Sequence, residues 1–482
     1  MTVVPRKAAA CILLRGEADR PEVLLARRSK TMKFMGGQYV FPGGRIDDDE
    51  STQFVIGAPD PDWAKAVHAV AREVFEETGL ICARGPRPDH ASLRTAREAL
   101  LRHEALFDDI LDSFGLQIHA PEFEPAGTWV TPKFSPIRFD TRYILHRVRD
   151  DLAEDLIEGE MIALEWVSPA DARRRWHKGE IVIPTPVAFA LQQLAAKPYP
   201  EVVPYLSRAT ERAPGEHSRF EIRRGITVIP LETATILPAT HTNCVVVGEG
   251  ELLVIDPGSD IPHELNHLKY QLDHLIELGG RIAAIILTHS HPDHTAGVPF
   301  LREHYGAPVW AHEATARQMT MPVDRFIEDG EVLVSAGDPE WRLRAYHTPG
   351  HDPGHLCFLE ESTASIIAGD MVANPGTIVV SEEYGGSMNE FIASLERMIG
   401  VPGKLLIPSH GLVLPKPAEA FKQHLDHRLW REDKIRKAWE AGARLVEDLI
   451  ATAYDDAPPA ALPLARHALK AHLSRLGFAA ES

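Results

Sequence analysis

Cysteine is scarce in this chain: four residues in 482 (Cys11, Cys82, Cys244 and Cys357), far apart, three of them inside apolar runs. That spacing excludes a disulfide framework and a cysteine-built metal site, and buried free thiols are the expected state. Long apolar runs are absent too, since nothing approaches the ~20 residues a membrane helix needs. Met1 to Leu14 holds an Arg–Lys pair and then an apolar run too short for a secretory core, with no small-residue cleavage pattern after it. A cytoplasmic protein with no membrane partner is the expectation. Positive charge is in deficit: 51 Lys and Arg against 69 Asp and Glu leave −18 with histidine neutral. No global field therefore draws the chain to nucleic acid or anionic lipid. A phosphate ligand would need metal ions and a local basic patch. Neither half is repeated, and no low-complexity tract occurs. What is present, 44% hydrophobic and 25% charged residues over 482, is a soluble globular composition of two or three domains.

The strongest chemical signal is Thr288-His289-Ser290-His291-Pro292-Asp293-His294. Ile282 to Leu287 precedes it as an apolar, β-branched run that reads as a buried strand. Three imidazoles and a carboxylate thus leave the end of one rigid element together. His289 and His291 can turn toward one point from an extended turn, and Asp293 and His294 toward a second where the chain curls into a helix. Nitrogen-rich sets with a carboxylate oxygen suit zinc.

His-x-His-x-Asp-His after an apolar strand resembles the metallo-β-lactamase superfamily, and the rest of that pattern follows in order. Leu253 to Gly258 lies upstream; His347-Thr348-Pro349-Gly350-His351, Ala368-Gly369-Asp370 and Pro408-Ser409-His410-Gly411 lie downstream. Ser409 stands where the family often has glycine. The resemblance implies two Zn2+ ions, one on His289, His291 and His351, the other on Asp293, His294 and His410, with Asp370 bridging. It also implies that Asp293 orients the attacking hydroxide and that Asp256 supports the ligand loop from behind. His347 and His355 are extra histidines near His351, which read as supporting the ligands from behind or lying at the surface.

In the first half, Ala8 to Leu14 and Val23 to Ala26 read as strands joined by a polar turn. Trp63 to Thr78 reads as a helix, with Val67, Val70, Ala71 and Val74 on its apolar face, Asp62 as N-cap and Gly79 as the C-terminal stop. Glu73, Glu76 and Glu77 stand at i, i+3 and i+4, so three carboxylates share a face away from the core. They repel one another unless a hard divalent cation such as Mg2+ offsets them.

Arg72-Glu73-Val74-Phe75-Glu76-Glu77-Thr78-Gly79-Leu80 resembles the second half of the Nudix box, and Gly44 with Glu50 fits the first half. The two halves are further apart than usual, so Gln53 to Trp63 reads as an inserted loop. Leu24 to Ser29, Lys33, Gly37 and Phe41-Pro42-Gly43-Gly44 look like the signature of Nudix enzymes that cleave coenzyme A, with Ala26 and Lys33 departing from it. Trp129 to Pro132 and Arg138 to Tyr143 look like the branch containing the peroxisomal CoA diphosphatases. The resemblance implies Mg2+ or Mn2+ on Glu73, Glu76 and Glu77, with Glu73 helping to deprotonate water. Arg27, Arg28, Lys33, Gly43 and Gly44 would bind substrate, with Lys30 adding charge for a 3′-phosphate or pyrophosphate. Arg72 would pair with a nearby glutamate and not with substrate.

The expected fold is a two-domain α/β chain: a Nudix α/β/α sandwich over 1–200, a linker over 201–225, and a metallo-β-lactamase αββα sandwich over 226–415. Residues 416–482 form a helical extension, which resembles the winged-helix-like end of the lactamase-like-2 branch. Leu425, Arg428, Arg431, Ile435 and Trp439 suggest an amphipathic helix with a basic side. Three readings stand open. One is a two-headed hydrolase of small molecules, cleaving a CoA-like diphosphate and a thioester or ester. In another the zinc half cleaves RNA, bound through Arg428, Arg431, Lys434, Arg436 and Lys437. In the last the Nudix half only senses a nucleotide. The interval from His294 to Asp370 is too short for the inserted domain of RNA-processing nucleases. A glyoxalase-II kind of thioesterase is also admitted, although its basic C-terminal motif is missing.

Overall fold

The computed structural model describes residues 4–32, 35–131, 137–149, 152–207, 219–237, 239–374, 376–457 and 461–481. The chain forms two compact units, Met1–His217 and Ser218–Ser482.

The first unit is built on the strand Arg6–Glu17, which runs antiparallel to Arg20–Arg28 and parallel to Phe139–Arg147. A strand covered on both faces reads as a continuous apolar run. Ile12 and Leu14, with Val23 and Leu25, face one helical layer, whereas Cys11, Leu13 and Leu24 face the other. The helices Pro61–Thr78, His90–Leu101 and Phe107–Ser113 cover one side; Pro169–His177 and Thr185–Ala196 cover the opposite side. This is the α/β/α sandwich. The main helix begins earlier than expected. Asp60, not Asp62, is the cap: its carboxylate accepts from the Trp63 backbone N–H at 2.7 Å, and Pro61 opens the first turn. Gln53 to Trp63 is likewise not one loop, because Val55–Ile56 pairs in parallel with Ile118–His119.

Residues 201–225, expected as linker, carry ordered structure at both ends. Val203–Ser207 is a short helix whose Leu206 packs into the first unit's core with Val202. Phe220–Arg223 is the edge strand of the second unit's first sheet.

The second unit stacks two sheets. The seven-stranded one runs Phe220–Arg223, Ile226–Glu232, His241–Val247, Glu251–Ile255, Arg281–Ile286, Val309–Ala311, Arg325–Phe326. The six-stranded one runs Val332–Ser335, Trp341–His347, Leu356–Glu360, Ser365–Ile367, Leu405–Ile407, Leu414–Pro415. Val245, Leu253, Ala284 and Ile286 meet Leu343, Phe358, Ile367 and Ile407 between them. Pro262–Glu277 and Val298–Tyr305 cover one outer face, and Met388–Ile399 with Pro417–Glu440 the other. The order helix, sheet, sheet, helix is the αββα sandwich. All four cysteines are free and buried. No helix among the described residues is long and apolar enough to cross a membrane.

The extension is three helices, Pro417–Glu440, Val446–Ala453 and Leu462–Leu476, closed around Ile435, Leu449, Ile450 and Leu469. Among the described residues the only strand-like pairing there is one bridge, Leu445 to Glu481, so no wing hairpin forms. The basic side is corrected as well. Arg428 is 3% and Arg431 5% exposed. Arg431 grips Asp456 at 2.6 and 2.9 Å and lies over the Tyr454 ring, so two charges expected to face solvent face the core.

Candidate metal centres

The strand Arg281–Ile286 delivers the chain to a turn, and Pro292 starts the one-turn helix Pro292–Thr295. The histidine-rich segment is therefore extended at His291 and helical at Asp293 and His294. The Asp256-Pro257-Gly258 loop packs against it so closely that a Cβ on Gly258 would sit 1.7 Å from the Asp293 carbonyl oxygen. Only glycine allows that approach.

Two donor groups converge. In one, His291 Nδ1 lies 3.0 Å from His289 Nε2 and 2.9 Å from His351 Nε2. In the other, Asp293, His294 and His410 gather their ligand atoms within 4.8 Å. Asp370 stands between them, Oδ2 3.4 Å from His351 Nε2 and Oδ1 3.5 and 3.4 Å from His294 and His410 Nε2.

Outward ring nitrogens are held by acceptors. His351 Nδ1 donates to the Val379 carbonyl at 2.7 Å, His410 Nδ1 to the His241 carbonyl at 3.0 Å and His294 Nδ1 to Asp256 Oδ2 at 2.9 Å. Asp256 also accepts from the Thr288 N–H and hydroxyl at 2.8 and 2.6 Å, and Thr288 Oγ1 accepts in turn from His289 Nδ1 at 3.0 Å. Each such bond fixes the tautomer that leaves a lone pair pointing inward, which is how proteins prepare imidazoles for a metal.

The charges favour a cation. Burial, then neighbouring imidazoles, holds His289 far below its ordinary value and His291 at about 4, which favours the neutral form of these two rings. Burial works against charge on His294, but Asp370, Asp256 and Asp293 outweigh it and lift the ring to about 10. Burial would raise Asp370, yet His410 and His294 hold it far below the carboxylate range. His294 Nε2 and Asp370 Oδ1 are buried without a hydrogen-bond partner, a costly arrangement unless a cation takes them up. The donor set fits two divalent ions.

His355 takes the supporting place and not the surface one. Its Nε2 accepts from the Asp370 backbone N–H at 2.9 Å, and its Nδ1 donates to Thr348 Oγ1 at 2.8 Å. His347 stacks on His312 at 4.1 Å and bonds the Pro353 carbonyl.

In the first unit the glutamates do not all face solvent, which corrects the expected polar stripe. The helix Pro61–Thr78 packs on the strand Gly43–Arg45, and the buried Glu77 accepts from the Gly43 N–H at 2.9 Å. A Cβ on Gly44 would lie 2.2 Å from Glu73 Oε1, so the glycine pair lets the carboxylates reach the strand. Burial, reinforced by Glu76 against the pull of Arg72, lifts Glu73 to about 7. Burial and Glu73 lift Glu77 far above its usual range. Carboxyls held above their usual range on neighbouring turns are ones that a divalent cation would draw back toward the ionised form on binding.

Arg72 bonds Glu50, Glu73 and Glu76 at 3.2, 3.0 and 3.1 Å. Arg28 reaches Glu160 at 3.6 Å, and both charges act on Glu77. Nothing local in the sequence marks Glu160. Arg27 lies over the Tyr39 ring at 5.7 Å. Lys33 and Pro132 fall outside the described residues.

Glu50 is buried, its Oε1 2.8 Å from His68 Nδ1, whose Nε2 meets Asp108 at 2.7 Å. Burial alone would raise its carboxyl, but hydrogen bonds from His68 and Arg72 hold it at about 2, below the usual 4.5. The folded value lies below the unfolded one, so the stabilisation is complete above about pH 4.5 and fades as pH falls toward 2. Glu50→Gln is expected to cost about 3 kcal/mol at pH 7, as for other broken buried pairs. Thermal denaturation at pH 7 and pH 3 checks it: the loss should shrink in acid.

Comparison with known proteins agrees with this architecture. The family model described as "Metallo-beta-lactamase superfamily" matches residues 237–410, and that described as "NUDIX domain" matches 4–183. The lactamase-like protein notP of Aspergillus sp. (strain MF297-2) is 30% identical over 45% of this chain and 70% of its own length. An atrochrysone carboxyl ACP thioesterase of Aspergillus chevalieri is 34% identical over 41% of this chain and 60% of its own length. This chain thus spans 60 to 70% of those two relatives. A NUDIX hydrolase crystal structure from Alicyclobacillus acidocaldarius is 30% identical, covering 42% of this chain and 96% of that one with a TM-score of 0.36.

Proposed function

Because the chain belongs to the metallo-β-lactamase superfamily through its second unit and carries a NUDIX domain in its first, we propose a hydrolase with two metal-dependent sites. The second unit hydrolyses an acyl thioester, and the first cleaves the diphosphate of a coenzyme A-like nucleotide. The observation that carries the second-unit reading is Asp370, set between two donor groups with a buried Oδ1 that lacks a partner.

Two zinc ions held by His289, His291 and His351, and by Asp293, His294 and His410, would supply Lewis acidity and a water ionised at neutral pH. Asp293, the most exposed side chain of the second group, would orient the attacking water and take up its proton. Asp370 keeps both groups in register, while Asp256 and His355 hold the ligands' backbone and rings. In the first unit Glu73, Glu76 and Glu77 would hold magnesium or manganese across a diphosphate, and Glu73 takes the proton of the attacking water. Arg27, Arg28 and Lys33 serve the anionic substrate.

Thioester chemistry is favoured on two grounds. One matched relative is named an ACP thioesterase, and an acyl thioester on a phosphopantetheine arm is what a carrier protein shares with coenzyme A. Against RNA, Arg428 and Arg431 are buried, while Lys434, Arg436 and Lys437 pair with Asp455, Glu432 and Asp433. No free basic stripe is left on that helix for a phosphate backbone.

The test uses the full chain with zinc and magnesium, an acyl-CoA, and two readouts, free thiol and 3′,5′-ADP. Both products are expected. His291→Ala should remove thiol release by a hundredfold or more, ~3 kcal/mol, and spare the nucleotide step on free CoA; Glu73→Gln should do the reverse. RNA cleavage without thiol release would overturn the thioester assignment.

A further inference from the structure

The buried cation Arg428 and its neighbour His424 lie one turn apart on Pro417–Glu440, a helix whose Phe421 and Ala420 enter the core behind the second unit's metal centre. Arg428 Nη2 donates to the Ile378 carbonyl. The adjacent Val379 carbonyl accepts from His351 Nδ1 at 2.7 Å. The Arg428 guanidinium also lies 5.2 Å over the Phe391 ring. Phe391 belongs to Met388–Ile399, the helix that clamps the two residues before His351. The Ser387 N–H donates to the Gly350 carbonyl at 2.7 Å, and Ser394 Oγ donates to the Pro349 carbonyl at 2.8 Å. One guanidinium thus joins the strap that holds the His351 ring to the helix that holds its backbone.

One further tie runs from the extension to the same strap. Ser381, at the end of the strap, meets His467 Nδ1 of Leu462–Leu476 at 3.1 Å.

We propose that the C-terminal helices are a structural part of the metal centre, with Arg428 a positioning residue for His351. The inference rests on the reading of His351 as a metal ligand. Among the described residues Arg428 carries no carboxylate partner of its own: its contacts are the Ile378 carbonyl and the Phe391 ring, and its Nε is buried without a hydrogen-bond partner. Burying a guanidinium is expensive, and tying the strap to the clamp is what this one does. Supporting bonds of this kind are worth about 10- to 100-fold in metal affinity.

The test is zinc competition against a chromophoric chelator on the full chain, with thermal denaturation alongside. The parent is expected to hold two zinc ions. Arg428→Met, which keeps length and apolar bulk, should weaken one of them by about tenfold or more while the protein stays folded. Arg428→Lys, which keeps the charge and one donor, should restore the affinity to within about threefold. Ser381→Ala should weaken the same ion, and it provides the reading if Arg428→Met does not fold. Parental affinity for both ions in Arg428→Met and Ser381→Ala would overturn the proposal while leaving the metal centre standing. A parent that holds no zinc at all would overturn both.

Discussion

Asp370→Ala should lower hydrolysis by the second unit about a thousandfold or more, a loss of ~4 kcal/mol in transition-state stabilisation. The expectation follows from position. Asp370 turns a carboxylate oxygen to each donor group, one toward His351 and the other toward His294 and His410. Removing it leaves His294, lifted to about 10 by its carboxylate neighbours, with less negative charge to face, and takes from the donor set a carboxylate that would help hold divalent ions. Asp370→Asn keeps the shape and loses the charge, so it should fall nearly as far. Steady-state thiol release, with the metal content of each variant, checks this. Parental rates in Asp370→Asn would mean that the bridging charge is idle.

Gly44→Ala should abolish the magnesium-dependent activity of the first unit by about a hundredfold or more, ~3 kcal/mol, and leave the unit folded. The added methyl would lie 2.2 Å from Glu73 Oε1. What yields is the far end of a flexible side chain and not backbone, so Glu73 swings aside and the strand stays. Glu77→Gln should lose as much for a different reason: the Gly43 N–H still finds an acceptor, but the cation finds no anion. Nucleotide release from free CoA, with circular dichroism before and after, distinguishes a displaced carboxylate from an unfolded domain. Full activity in both variants would mean that these glutamates hold no catalytic metal.

The two motifs were legible because each packs its chemistry into a few residues. Histidines two and three apart at the end of an apolar strand, and glutamates three and four apart on a helix, announce their geometry through local periodicity alone. The alternation of layers was equally readable, since strands such as Glu251–Ile255 and Arg281–Ile286 are apolar after their first residue.

Most of the misses came from contacts distant in sequence. The helix cap is the local exception, where Pro61 at the first helical position sets the cap at Asp60. Glu77 looks solvated on a helical wheel until the Gly43–Arg45 strand is laid over it. Arg428 and Arg431 read as a basic face because nothing near them predicts that Ile378, Asp456 and Tyr454 will surround them. For His355 a supporting place and the surface were both open, and the bond it accepts from the Asp370 N–H decides for the first.

The central claim is that the second unit is built around two divalent ions. Zinc titration of the metal-stripped full chain, read by elemental analysis after removal of weakly held metal, tests it most directly. The account predicts about two tightly held ions per chain in the parent and marked loss of both in Asp370→Ala. Retention of no zinc by the parent, or equal retention by Asp370→Ala, would contradict it.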